Sequence, residues 1–274
     1  MSQQRSTTIE PLLTVTALHK SFGGVEALRD YHLAIESGSL VGLIGPNGAG
    51  KTTVFNLLSG VLSPTSGNIV FQGKDITAQK PHLRAREGLT RTFQNIRLFE
   101  GLSVHDNVKI ALHMHHGKGI PQTLLHNRSY RLGEREIAER ADELLELFNI
   151  TSWRNELAGM LPYGIQRSVE IARALATEPR LLLLDEPVAG LNPSETETFV
   201  ELIESIHRSH DFAILLVEHD MKVIMRMCSH IQVLDQGVLI AEGNPEEIQN
   251  NSQVIKAYLG YEGTERDETH PTER

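Results

Sequence analysis

An α/β architecture with a mostly parallel sheet is expected of this 274-residue chain on three counts. A glycine-rich segment, Gly45-Pro46-Asn47-Gly48-Ala49-Gly50-Lys51-Thr52, lies between an apolar run, Leu40 to Ile44, and a helix-like run, Thr52 to Leu58. A second apolar run, Leu181 to Leu184, delivers two carboxylates, Asp185 and Glu186. Further apolar runs, Phe212 to Val217 and Ile231 to Leu234, alternate with helical stretches, the pattern of βαβ units.

In chain order, Leu12 to Phe22 and Tyr31 to Ile35 read as strands, broken by Gly23-Gly24 and closed by Ser37-Gly38. Asn68 to Phe71 is a strand opened by Ser66-Gly67, and Thr90 to Phe93 a short buried one ending at Gln94. From Asn95 to about Thr177 the pattern is helical, with Ile137, Leu144, Leu145 and Leu147-Phe148 at helical spacing among charges. His113 to Arg128 is polar and interrupted by Pro121, so it reads as a surface loop. Its histidines, His113, His115 and His116, lack an evident carboxylate partner and make a poor metal site. Arg180 to Leu184 is continuously apolar after its first residue, as in strands buried on both faces. Pro193 and Ser194 open a helix to about Arg208, with Glu195 and Glu197 near its positive end. Residues from Glu262 onward are charged, and a disordered acidic tail is expected over 263–274, after one domain spanning 1–262.

The bulk numbers exclude several classes. With 26 basic and 35 acidic residues the net charge is −9, which argues against nucleic acid as partner. Cys228 is the one cysteine, so no intramolecular disulfide or cysteine-rich zinc site can form. Met1 to Glu10 lacks the apolar stretch of a signal peptide, and no window reaches the roughly 20 apolar residues that span a bilayer. Any work at a membrane is therefore expected to go through a partner.

The glycine-rich segment has the Gly-x-x-x-x-Gly-Lys-Thr spacing of a phosphate-binding loop. Its glycines, Gly45, Gly48 and Gly50, let backbone N–H groups converge on one concavity, and the following helix N-terminus adds partial positive charge. Lys51 is suited to the β- and γ-phosphates, and the Thr52 hydroxyl to Mg²⁺. Asp185 at a strand end suits a Mg²⁺ ligand, and Glu186 a base that polarises or orients a water. The chain therefore reads as a user of nucleoside triphosphate.

From about Leu12 to Gly260 the chain resembles the nucleotide-binding subunits of ABC transporters. The resemblance implies a P-loop NTPase fold, with a RecA-like core, an antiparallel β edge and a helical lobe at about 95–177. ATP and Mg²⁺ are the implied cofactors. Phe22 matches the aromatic that stacks on adenine, although an aromatic there, taken by itself, reads as core rather than as an adenine platform. Gly45 to Thr53 matches the phosphate loop, so that Asn47 and Thr53 join the implied nucleotide contacts. In Arg91-Thr92-Phe93-Gln94-Asn95, Gln94 matches the glutamine that reaches Mg²⁺ and the attacking water. Leu161 to Gln166, with Tyr163 and Gly164, matches the signature segment. Ala189-Gly190-Leu191-Asn192-Pro193 matches the loop that crosses the dimer interface. In Val217-Glu218-His219-Asp220, His219 matches the histidine at the γ-phosphate. Hydrolysis is thereby assigned to Glu186, His219 and Gln94, and Mg²⁺ to Thr52, Gln94 and Asp185.

Two departures carry information. Pro162 stands where the family signature has serine and can supply neither hydroxyl nor N–H, a loss of about 1.5–3 kcal/mol for a donor to charged phosphate. The helix expected to begin near Ile165 still points its positive end at that place. Asn192 replaces an aspartate of the interface loop. The Tyr-Gly signature, Glu-His-Asp-Met and Ala257-Tyr258-Leu259-Gly260 resemble the branch that holds the ATPase subunits of branched-chain amino acid importers. That branch implies two membrane permeases, a second ATPase subunit as homo- or heterodimer partner and, indirectly, a periplasmic binding protein. The implied location is peripheral, on the cytoplasmic face of the inner membrane, with permease contact around Asn95 to Phe99. The rival readings are a urea or amide importer, a lipopolysaccharide exporter, and a regulatory ATP-binding module with little turnover.

Overall fold

The computed structural model describes residues 10–116 and 128–264, and the chain forms two units. One runs to Gln79 and resumes at Cys228; the other spans Lys80–Met227. Strands β1 (Leu13–Phe22), β2 (Val25–Ile35) and β3 (Leu40–Ile44) lead into α1 (Lys51–Leu58), followed by β4 (Ser66–Phe71) and β5 (Lys74–Asp75). The second unit supplies α2 (Pro81–Arg86), β6 (Leu89–Arg91), α3 (Val104–His116), α4 (Arg128–Leu147) and α5 (Tyr163–Leu175). It continues through β7 (Leu181–Asp185), α6 (Pro193–Ser209), β8 (Ala213–Val217) and α7 (Met221–Met227). The chain then adds β9 (His230–Asp235), β10 (Val238–Gly243), α8 (Pro245–Gln249) and α9 (Ser252–Thr264) to the first unit.

In the first unit an antiparallel sheet has the order β2-β1-β4-β5. The β1–β2 turn is only Gly23-Gly24, with φ of +58° and +124°, so pairing resumes immediately at Phe22 opposite Val25. That is why β2 begins six residues earlier than its apolar pattern suggests. Alongside, β3 runs parallel to β9, and β10 returns antiparallel to β9. A buried polar bridge ties β2 to β9: the Tyr31 hydroxyl donates to Gln232 Oε1 at 2.7 Å, and Gln232 Nε2 donates to the His32 carbonyl at 3.1 Å. Burial, with the Glu242 charge nearby, pushes the Tyr31 phenol far above its ordinary range, so it remains a donor.

In the second unit β6, β7 and β8 are parallel neighbours. Every residue of β7 (LLLLD) and β8 (AILLV) is buried, which explains their lack of alternation. Helices α3, α4 and α5 pack together. Arg167 of α5, fully buried, forms a 2.8 Å ion pair with Glu170 one turn on. Its Nη1 also donates to Phe93 O and its Nη2 to Gln94 O, both at 3.2 Å. Nearer the surface, Arg154 donates through Nε to Asp142 Oδ1 at 2.6 Å and lies 3.1 Å from His105 Nε2 through Nη2.

Several boundaries differ from the sequence pattern. Strand β6 stops at Arg91, because Thr92 next turns its N–H to the Leu183 carbonyl and its hydroxyl toward Asp185 N–H. Residues 95–103 are not helical. Asn107, fully buried, takes the Phe99 N–H at 2.9 Å and donates to the carbonyls of Phe99, Leu102 and Ser103, so a side chain replaces the helical ladder there. Elements as short as β5, α2, α7 and α8 carry too few residues to show a period. Helix α9 continues through Thr264, past the Glu262 at which charged composition sets in. Most of the polar excursion between His113 and Arg128, together with the segment 265–274, lies outside the described residues.

Two stability experiments follow from these clusters. Arg167→Ala leaves Glu170 buried without its cation, and is expected to lower the unfolding free energy by about 3–5 kcal/mol in a denaturant titration. Arg154 hydrogen-bonds Asp142 and holds that carboxyl below its ordinary value of 3.8. A depressed carboxyl stabilises the fold fully above the unfolded pKa and loses that contribution as pH falls through the folded value. Arg154→Gln is therefore expected to flatten the decline of the unfolding free energy below about pH 4, and to lower that free energy at neutral pH by no more than about 1 kcal/mol.

Candidate functional site

The phosphate loop leaves the end of β3 at Gly45 and enters α1 at Lys51. Gly45 has φ +151°, and a Cβ there would meet the Leu234 carbonyl oxygen at 2.1 Å, so no other residue fits. Gly50, at φ +106°, caps α1, whose opening turn leaves N–H groups outside its own ladder. Asn47, Gly48 and Thr52 are exposed and Thr53 is half-buried. Lys51 is buried, and its ammonium donates to the carbonyls of Gly45 at 2.6 Å and Pro46 at 2.9 Å. A lysine folded back on its own loop is a point charge that reaches an anion by rotating its side chain. At the end of β1, Phe22 is 46% exposed with Lys20 Nζ 4.9 Å from its ring centre. Phe22 is therefore not a core residue, and its ring is available to a flat partner.

The second unit holds the acidic half. Asp185 closes β7, almost buried, and its Oδ2 accepts from Arg91 Nη2 at 2.8 Å. Glu186, the next residue, has a backbone φ of +47°, a region costly for a non-glycine residue and one that clusters at working sites. Both carboxylate oxygens of Glu186 are engaged. Gln94 Nε2 donates to Oε2 at 2.8 Å, and His219 Nε2 donates to Oε1 at 2.7 Å. Two residues from separate segments thus converge on one acid, and both Gln94 and His219 face solvent.

Beneath them sits Glu218, buried at the end of β8. Its Oε1 accepts from Val188 N–H at 2.8 Å and its Oε2 from His219 N–H at 3.1 Å. Burial raises its pKa, and these two donors oppose the shift. The carboxylate fixes both the residue that opens the 189–193 loop and the backbone of His219.

Tyr163 and Gly164 begin α5, two residues earlier than the sequence pattern places the start, with Pro162 as N-cap. This start leaves the N–H groups of Tyr163, Gly164 and Ile165 outside the helical ladder, whose first bond is Gln166 N–H to Pro162 O at 3.0 Å. Tyr163 packs against Gly190, where a Cβ would approach its ring to 3.0 Å, and its hydroxyl accepts from Arg167 Nη2 at 3.2 Å. Arg167 therefore joins the signature segment to the main chain of Gln94. Asn192 caps α6: its Oδ1 accepts from Glu195 N–H at 3.0 Å, and Glu195 Oε2 accepts from Asn192 N–H at 2.9 Å. Asparagine performs that capping as well as aspartate, so the substitution removes a charge and keeps the helix start.

The sequence motifs did not single out Arg91, Arg167 or Glu218. Each had a visible signal: a charge inside a strand-like run, an arginine on the apolar side of a helix, and an acid directly after five apolar residues. No three-residue metal cluster of His, Cys, Asp or Glu occurs among the described residues, and His113 instead faces Glu134 at 3.5 Å.

Comparison with known proteins agrees with this geometry. The ABC transporter family model matches residues 28–189, and a model described as branched-chain amino acid ATP-binding cassette transporter matches 238–264. The chain is 46% identical over 250 residues to the high-affinity branched-chain amino acid transport ATP-binding protein BraF of Pseudomonas aeruginosa, covering 91% of this chain and 98% of that protein. It is 44% identical to LivG of Escherichia coli K12, covering 92% and 98%, and 35% identical to the lipopolysaccharide export system ATP-binding protein LptB of Haemophilus influenzae, covering 91% and 97%. Among solved structures, the ADP conformation of MJ1267, an ATP-binding cassette of an ABC transporter, superposes with a TM-score of 0.79 at 28% identity, covering 91% of this chain and 99% of that one. The glycine-rich loop before α1, the acid held by Gln94 and His219, and these matches have one reading: the chain belongs to the ABC transporter family, as an ATP-hydrolysing subunit of its branched-chain amino acid branch.

Proposed function

We propose that this chain hydrolyses ATP to drive uptake of branched-chain amino acids through partner permeases. The hydrolytic part rests on one observation above all, the Glu186 carboxylate aimed by Gln94 and His219 at the end of an apolar strand. The cargo rests on the relatives named above and on the match at 238–264. Lipopolysaccharide export is less well supported, since that relative is the more distant, and a complete acidic site disfavours a module that binds ATP without turning it over.

In this reading Phe22 stacks on adenine. Backbone N–H groups from Gly45 to Thr53 hold the phosphates, and Lys51 rotates from the Gly45 and Pro46 carbonyls to the β- and γ-phosphates. The residues that would hold Mg²⁺ are oxygen donors, as that ion requires: the exposed Thr52 hydroxyl, Gln94, and Asp185, whose Oδ2 accepts from Arg91. When bound, Mg²⁺ supplies positive charge to the phosphate oxygens. Glu186 orients a water and accepts its proton as the oxygen bonds to the γ-phosphorus and the bond to the bridging oxygen breaks, releasing ADP. Nearly all the rate then comes from positioning and electrostatics.

The subunit works peripherally on the cytoplasmic face of the inner membrane, with two permeases, a second ATPase subunit and, indirectly, a periplasmic binding protein. No helix among the described residues is long and apolar enough to cross a membrane. The permease contact is assigned to a groove of about 500 Å³ lined by Phe93, Arg97, Leu98, Phe99, Ile110 and Arg173. Phe99 there is 51% exposed on a loop that Asn107 holds rigid. Tyr163 and Gly164 present the α5 N-terminus to the γ-phosphate held by the other ATPase subunit. Pro162 weakens that composite site relative to one formed by a serine signature.

Glu186→Gln is expected to slow ATP turnover about 100-fold or more while leaving ATP affinity within about threefold; unchanged turnover would remove Glu186 from this role. Phe99→Asp is expected to abolish leucine uptake by membranes carrying the full transporter and to spare the nucleotide affinity of the free subunit. Uptake that persists would place the permease elsewhere. Disabling the phosphate loop of each ATPase subunit in turn is expected to give unequal losses of turnover, and equal losses would refute a weakened Pro162 site.

A further inference from the structure

A closed ring of bonds runs behind Glu186. The Val188 N–H, two residues beyond that acid, donates to Glu218 Oε1 at 2.8 Å. The second oxygen of the same carboxylate, Oε2, accepts the His219 N–H at 3.1 Å. The His219 side chain then returns to the start, its Nε2 lying 2.7 Å from Glu186 Oε1. Main-chain bonds brace the two arms: Glu186 N–H donates to the Val217 carbonyl at 2.9 Å, and Ala189 N–H to the Glu186 carbonyl at 3.2 Å. Glu218 lies on the inner side, only 4% exposed, whereas the His219 side chain is 49% exposed and meets solvent. The strained point of the ring is Glu186 itself, at φ +47°.

We propose that Glu218 is a positioning residue for hydrolysis: one buried carboxylate holds, through Val188, the turn that follows Glu186 and, through His219, the imidazole that aims it. It acts on the reaction through those two neighbours. Two N–H donors need two acceptors at once, and a carboxylate supplies both. The amide of glutamine has the same size but one acceptor oxygen, and its NH₂ would face the remaining N–H donor. The geometry lost is needed as water attacks, so the cost falls on turnover and spares nucleotide affinity. The inference rests on Glu186 being the base for the attacking water, as proposed above.

Four full-length proteins separate the possibilities: the unsubstituted chain, Glu218→Gln, Glu218→Met and Glu186→Gln. For each, kcat and KM for ATP are measured in membranes carrying the full transporter, and the melting temperature is recorded for the free subunit. The His219 imidazole signal is followed by NMR of histidine-labelled subunit, and is identified by its loss in His219→Gln. Glu218→Gln is expected to lower kcat roughly tenfold, with KM within about threefold and the melting temperature within about 3 °C. The His219 signal is expected to move in the same variant. Glu218→Met, with no acceptor at all, is expected to lose at least as much kcat. Unchanged kcat in Glu218→Gln would overturn the proposal. So would a loss of kcat that follows the melting temperature and leaves the His219 signal in place, because Glu218 would then serve the fold alone. Full turnover in Glu186→Gln would remove the base and this inference together, whereas a slow Glu186→Gln beside an unimpaired Glu218→Gln would sink this inference only.

Discussion

Arg167 is completely buried, and its charge is held there only because Glu170, two main-chain carbonyls and a phenol surround it. Each partner belongs to something that must be in register for the site to exist. Phe93 and Gln94 are the segment that carries the glutamine to Glu186, and Tyr163 starts the helix whose free N–H groups face outward. A guanidinium has fixed planar geometry, so it sets distances as well as attraction. Displacing any one partner strands the others, which couples the start of α5 to the Gln94 backbone within a single cluster.

Glu186 then occupies the end of a chain of constraints. Its φ of +47° is held by the buried strand before it and by its own N–H, which donates to the Val217 carbonyl at 2.9 Å. Glu218, one residue beyond Val217, braces Val188 and His219 from below. The acid is thus aimed by main-chain bonds as much as by side chains. A carboxylate whose oxygens are both engaged has little freedom to rotate, and little entropy to lose when a water is placed beside it.

The parts of this protein legible from sequence are those whose chemistry is contiguous in the chain. The phosphate loop and the Leu181 to Glu186 strand each declare themselves because glycine, lysine and carboxylate must occur at fixed spacing. The buried strands β7 and β8 are legible as unbroken apolar runs. Arg91, Arg167 and Glu218 escaped because their meaning lies in partners 30 to 94 positions away, which no local pattern announces. Residues 95–103 were read as helical, but the Asn107 side chain competes for the same carbonyls and wins. Asn192 was read as a lost charge, whereas in the fold it is a helix cap first.

The run Leu181 to Leu184 is also four consecutive leucines with strong strand character, buried on every side in the finished fold. Before folding is complete, that stretch is a sticky surface with high self-association tendency. It is flanked by Arg180 on one side and by Asp185, Glu186 and Pro187 on the other, which act as gatekeepers against edge-to-edge stacking of nascent chains. The two carboxylates proposed for the folded site therefore also guard this run while the chain is folding. Neutralising them removes a solubility device along with the chemistry, so yield and activity are not independent readouts at these positions.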